Sequence, residues 1–213
     1  MQNRLLPKVF GWMFIGLLLT FITAYYISIN EYTFYKIFSG SGYLIFILLE
    51  LGLVLFLSAR VHKMNPNTAK IVFMLYSIVS GVTFSSIFIV YNLQSIIILF
   101  LAAAILFGIF ALIGYFTRVN LDRLGTFLIM ALVAVLICII VNIFVGNNTF
   151  DIIISSICLI VFVLFTAYDI QKIKKLGSLS LSDNAAIIGA LELYLDFINI
   201  FISLLDIFGR GKD

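Results

Sequence analysis

Five polar side chains near the C-terminus, Glu192, Asp196, Asn199, Ser203 and Asp206, follow one another in steps of four, three, four and three. At about 100° per helical residue, these steps keep all five within an arc of roughly 80°. The residues between them are Leu, Ile, Phe and Tyr. One helix here would carry three carboxyls, an amide and a hydroxyl as a single polar stripe. Carboxyl and amide oxygens are hard ligands for a cation such as Ca²⁺, and carboxyls also carry protons. Two further acids sit inside apolar text, Glu50 in LLELGLVLF and Asp169 in FTAYDIQKIK, and Arg60 closes the run that holds Glu50.

The elements that must position these groups follow from the composition. Of 213 residues, 63% are hydrophobic and 11% charged, against about 25% charged in soluble domains. This is an all-α integral membrane protein: the apolar runs are long and lack strict alternation, which excludes a barrel. A spanning helix takes about 20 apolar residues. Seven runs qualify, at approximately 9–29, 42–59, 70–91, 95–116, 124–145, 151–171 and 186–208. They form a single transmembrane domain, 1–213. Pro7 and Pro66 lie outside the runs, and the first run is too long and lacks the cleavage site of a signal peptide. KMNPNTAK, 63–70, is a turn in which Asn-Pro breaks the helix and Thr68 can cap the next one, and Ser182, Asp183 and Asn184 form a cap cluster before the last helix.

Charge sets the orientation. Arg4, Lys8, Arg60, Lys63, Lys70, Arg118, Arg123, Lys172, Lys174 and Lys175 fall on the N-terminal side, ten of the thirteen basic residues. Lys36, Arg210 and Lys212 fall on the other. The N-terminus is therefore expected in the cytoplasm and the C-terminus outside, in a multi-pass protein of the cell (plasma) membrane. The net charge of +3 does not call for nucleic acid. Cys138 and Cys158 lie inside apolar runs, where packing is the ordinary role of a thiol. His62 is a lone loop histidine. There is no Gly-rich phosphate loop, no His/Cys metal cluster, no Ser-His-Asp set, and no Lys in the last run to hold retinal.

An Asp at the centre of a span costs about 2.5–3.5 kcal/mol on insertion scales. A lipid-facing polar stripe is thus excluded. The stripe faces either neighbouring helices, which it hydrogen-bonds, or a polar path for an ion or proton. Glu50 has no neutralising neighbour in sequence, so it is protonated or paired across helices. Asp169 closes the sixth run and Asp196 lies about ten residues into the seventh, so both belong to the inner half of the membrane on consecutive spans. Two carboxylates in close approach share a proton and titrate nearer neutrality, which makes a pH sensor. Their oxygens also suit a transient Ca²⁺, which would keep water or backbone ligands beside them. Arg60, at the same side, is either a membrane-surface anchor or the counter-ion of the pair.

AYDIQKIK, with Tyr168, Asp169 and Gln171, and LYLDFINIFISLL, with Asp196 and Asn199, resemble the Bax inhibitor family, also called the transmembrane Bax inhibitor motif family. The likeness is greatest to its bacterial YetJ-type calcium-leak members. LLE with Glu50, SAR with Arg60 and VSGVTF at 79–84 extend the resemblance over essentially the whole chain. It implies six helices packed around a central, apolar seventh, and a pH-sensitive leak of Ca²⁺ down its gradient. It also implies that Asp169 and Asp196 are the gating pair, that Arg60 latches the closed state against them, and that Glu50 is the second-helix acid of the pathway. Glu192, Asn199 and Asp206 are expected along the ion pathway. Glu192 and Asp206 depart from the bacterial pattern, which has a small or neutral residue at the first position and a neutral or basic one at the second.

The resemblance implies a calcium channel, expected to be no enzyme and to hold no permanent cofactor. Its expected partners are the bilayer, Ca²⁺ and H⁺, and it is expected as a monomer or weak homo-oligomer. A calcium/proton exchanger would use the same residues. An interaction protein that modulates other membrane proteins is a further class. An intramembrane aspartyl protease also pairs two aspartates on adjacent helices, one of them in a Tyr-Asp pair. Its second motif, Gly-x-Gly-Asp, reads Tyr-Leu-Asp here, and its Pro-Ala-Leu motif is missing.

Overall fold

The computed structural model describes residues 5–40, 42–179 and 182–209. Arg4, Arg210, Lys212 and Asp213, and the side chain of His62, lie outside the described residues. The chain is all-helical, with no strand among the described residues, and seven of its helical stretches are long and apolar enough to cross a membrane. In order these are α1 (Leu5–Ile29), a short α2 (Glu31–Phe38), α3 (Gly42–Arg60) and α4 (Pro66–Phe84) with its one-turn continuation α5 (Ile87–Val90). Then follow α6 (Leu93–Phe116), α7 (Asp122–Val145), α8 (Asn148–Leu179) and α9 (Asp183–Phe208). Side chains such as Phe14, Leu48 and Ile105 are exposed along these helices, as spans surrounded by lipid require.

Four local details differ from the sequence expectation. First, α1 and α4 begin about one turn early and take Pro7 and Pro66 into their first turns, where a missing N–H costs nothing. Asn65, not Thr68, caps α4: its Oδ1 accepts from the Asn67 N–H at 3.0 Å. Second, the loop after α1 holds the eight-residue α2, capped by Asn30, whose Oδ1 accepts from Thr33 N at 3.0 Å, and steadied by Phe34 stacked on Phe38 at 4.1 Å. Third, the third span is interrupted at Ser85–Ser86. The Ser85 hydroxyl donates to Val82 O at 2.7 Å and that of Ser86 to Thr83 O at 2.9 Å, so side chains compete with the helical ladder there. Fourth, α8 runs past residue 171 to Leu179 because its lysines find partners beyond the apolar run. Lys174 donates to Tyr115 O at 2.7 Å, and Lys175 to Asp122 at 2.7 Å and Asn120 at 2.8 Å.

The helices group into two compact units: residues 5–92 with 176–194, and residues 93–175 with 195–209. In the first, α1 packs along α4 and α3 against α4. Gly81 lets α4 approach the α1 backbone, since a Cβ there would stand 2.7 Å from Thr20 O. Three helix starts are tied at one end: Asp183 of α9 accepts from Lys8 of α1 at 3.1 Å and Lys70 of α4 at 2.7 Å. Asn184 donates to Val61 O and Met64 O, and Ser182 caps α9 by accepting from Ala185 N, as its cap cluster predicts. In the second unit, Gly146 ends α7 in the left-handed conformation, φ 65°. Asn142 there donates to Asp151 and to Asn147 O, tying the turn into α8.

Candidate functional site

Asp169 and Asp196 both fall in the second unit, on α8 and α9, and both are buried, 6% and 3% exposed. The segment around Asp169 is held by several neighbours. Ala167 abuts Gly114 of α6, where an added Cβ would come within 2.8 Å of the Ala167 carbonyl carbon. Tyr168 lies against Gly125 of α7, which leaves no room for a Cβ either. Gln171 bridges to the α6–α7 connection, donating to Val119 O at 2.8 Å and accepting from Leu121 N at 2.9 Å. These contacts fix the height and rotation of α8, and thereby the Asp169 carboxylate. Lys172, one turn on, brings its Nζ to 3.8 Å from that carboxylate, as i,i+3 spacing allows.

Around Asp196, Phe197 meets Phe100 and Phe107 of α6 edge-on at 5.1 and 5.8 Å. An acid buried beside such apolar packing is under strong pressure to be neutral or paired. The stripe is not uniformly enclosed. Ser203 is buried, Asn199 and Glu192 are half-buried and Asp206 is exposed. Asn199 turns back on its own helix, donating to Leu195 O at 2.7 Å. Asp206 accepts from Ser155 of α8 at 3.2 Å. Glu192 belongs to the first unit.

The remaining predicted residues, Glu50 and Arg60, lie in the first unit. Arg60 is exposed at the end of α3. Glu50, half-buried, receives two hydroxyls from α4: Ser80 donates to one carboxyl oxygen at 2.6 Å and Thr83 to the other at 2.7 Å. The phenols of Tyr76 and Tyr194 neighbour Ser80, and their rings meet edge to face at 5.7 Å. Thr20 of α1 completes the group. Its hydroxyl faces Ser77 O at 2.9 Å and Gly16 O at 3.0 Å, so its single proton is committed to a carbonyl. The fully buried Tyr194 hydroxyl, 2.7 Å away, is therefore the donor to Thr20.

Sequence reasoning found the acids but missed Ser80, Thr83, Thr20, Tyr76, Tyr194, Ser155 and Lys172. A signal for some of them exists: Ser77, Ser80 and Thr83 recur every three residues along one side of α4. No cluster of three or more His, Cys, Asp or Glu occurs among the described residues.

The segments that grip Asp169 and surround Asp196 are the ones that carry the family resemblance. The sequence model of the family described as inhibitor of apoptosis-promoting Bax1 matches residues 2–213. The chain belongs to this family. Its relatives include the inner membrane protein YbhL of Escherichia coli K12, 40% identical over 97% of this chain and 92% of that protein. An uncharacterized protein of Borreliella burgdorferi is 38% identical over 100% and 94%, and one of Deinococcus radiodurans 34% over 98% and 90%. With its seven long apolar helices and these relatives, the chain is a multi-pass membrane protein.

Proposed function

We propose that this Bax inhibitor family protein is a pH-sensitive calcium leak of the cell membrane, gated by protonation of Asp169 and Asp196. The observation that carries the reading is the burial of two carboxyls on consecutive spans of one compact unit, with the Asp169 helix held in place by close packing. Buried carboxyls resist charging together, so a change of pH changes their number of negative charges. In this reading Arg60 is the latch that closes on the charged pair and leaves the neutral one. Glu192, Asn199 and Asp206 line the pathway along α9. The N-terminus faces the cytoplasm, and no catalytic step or resident cofactor is required. Reconstitution into liposomes, with calcium outside and a calcium dye inside, tests this. Protein-dependent dye signal is expected for wild type and a changed one for Asp169→Asn. Flux that vanishes when the proton gradient is zero would instead assign the same residues to a calcium/proton exchanger.

The family's description, inhibitor of apoptosis-promoting Bax1, favours a second reading, a protein that acts on other membrane proteins without transport of its own. A reconstituted protein with no pH-sensitive calcium signal would support it.

A further inference from the structure

We propose that Asn184 is the positioning residue of Arg60: its amide clasps the turn that follows Arg60 to the start of α9, all within the first unit. Arg60 itself is exposed, and among the described residues it forms no ion pair. A cation without a partner takes its place from the backbone that carries it. That backbone is held on both sides. Leu57 is the one buried residue of α3, and Val61, directly after Arg60, is 1% exposed. Residues 61–63 form a single turn of 3₁₀-helix, closed by the Met64 N–H, which donates to Val61 O at 3.2 Å. The Asn184 amide grips both ends of this turn, donating to Val61 O at 3.0 Å and to Met64 O at 2.9 Å. Asn65, the next residue, caps α4. The link between α3 and α4 is therefore tied from Val61 to Asn65, and α9 supplies the tie nearest to Arg60.

Two carbonyl oxygens at these distances admit only the NH₂ group, so the amide has one orientation. Its Oδ1 is buried and accepts no hydrogen bond among the described residues. An unpaired buried acceptor is unfavourable, and an alanine at this position would not carry that cost. The asparagine is thus suited to its grip on the turn and not to its own surroundings. The residue before it serves a different tie, since Asp183 accepts from Lys8 of α1 and Lys70 of α4. The titratable residues of the tied segments at this end, besides Arg60, are Lys8, His62, Lys63, Lys70 and Asp183. A carboxamide does not titrate, so the clasp itself is the same at every pH. It supplies the fixed part of a device whose variable part is the carboxyl pair.

The inference rests on the latch reading for its role in gating, but its first readout does not need flux. The full chain is placed in lipid nanodiscs, and hydrogen exchange of residues 61–64 is followed by mass spectrometry. Asn184→Ala should speed that exchange about tenfold, as loss of two hydrogen bonds from one turn implies. Asn184→Asp keeps the size, removes both donors at neutral pH and puts a carboxylate in the first turn of α9, where the helix favours one. It should loosen the turn in the same way with α9 intact. Asp183→Asn weakens the ties to Lys8 and Lys70 and should leave the turn exchanging at the wild-type rate. The second readout is calcium flux into liposomes across pH. Asn184→Ala should displace the pH profile in the direction and by the amount that Arg60→Ala does, and the two together should add nothing further. Exchange at the wild-type rate in both Asn184 variants overturns the proposal. So does a wild-type flux profile for Asn184→Ala where Arg60→Ala displaces it, or displacements that add in the double variant. Faster exchange in a protein without calcium flux sustains the clasp and counts against the leak alone. Faster exchange with a wild-type profile for Arg60→Ala sustains the clasp and counts against the latch alone.

Discussion

Helices α3 and α9 each carry an acid near mid-span, in opposite surroundings. In α3, 6% of the most apolar 18-residue window is buried; in α9 the figure is 72%. Glu50 sits on the helix most open to lipid and is met by hydroxyls reaching from α4. Asp196 sits on the most enclosed helix, among aromatic rings. An acid on a lipid-facing span needs a neighbour to supply donors, since lipid supplies none. An acid on an enclosed span answers to the packing that holds its helix. In the first arrangement side-chain hydrogen bonds hold the acid; in the second, helix packing surrounds it.

Substitutions can break this contrast. The largest stability effect is expected from Gly114→Ala, which pushes a methyl into the Ala167 backbone two residues before Asp169. Overpacking of this kind costs about 1–3 kcal/mol, and the pH response of flux should change with it. Gly108→Ala on the same helix meets nothing within 4 Å. It should be neutral or stabilise by up to about 1 kcal/mol, and unfolding in detergent distinguishes the two. Thr20→Val comes next. It removes the acceptor of the buried Tyr194 hydroxyl, at about 1–3 kcal/mol, with no direct effect on the second unit's acids. Ser80→Ala takes one of the two donors from Glu50 and should cost about 1 kcal/mol. Smallest is Lys172→Ala: the lysine is 43% exposed and 3.8 Å from Asp169, so the loss should stay below about 0.5 kcal/mol. A larger loss would mean that this lysine, and not packing, governs the enclosed acid.

The fold was legible where apolar length decides it. All seven long apolar helices are present, because about 20 apolar residues in a row have few other uses. What escaped was decided by side-chain hydrogen bonds that hydropathy does not see: the Asn30 cap that starts α2, the serine back-bonds that break α4, and the lysine contacts that extend α8. The same blindness applies at the site. Glu50, Asp169 and Asp196 stand out because a buried acid is rare, whereas Ser80, Thr83 and Thr20 pass for small residues in an apolar run until helix packing aims them. Helical spacing puts Asp206 on the stripe, but does not show that this residue, near the end of α9, is exposed. Arg60 was legible as a charge at a span end, and it is exposed at the end of α3.

The central claim is that Asp169 and Asp196 set the pH response. Calcium flux into liposomes, measured across pH for wild type, Asp169→Asn and Asp196→Asn, addresses it most directly. The account predicts a sigmoidal pH dependence for wild type and a flattened one in each variant. Wild-type pH profiles in both variants would contradict it.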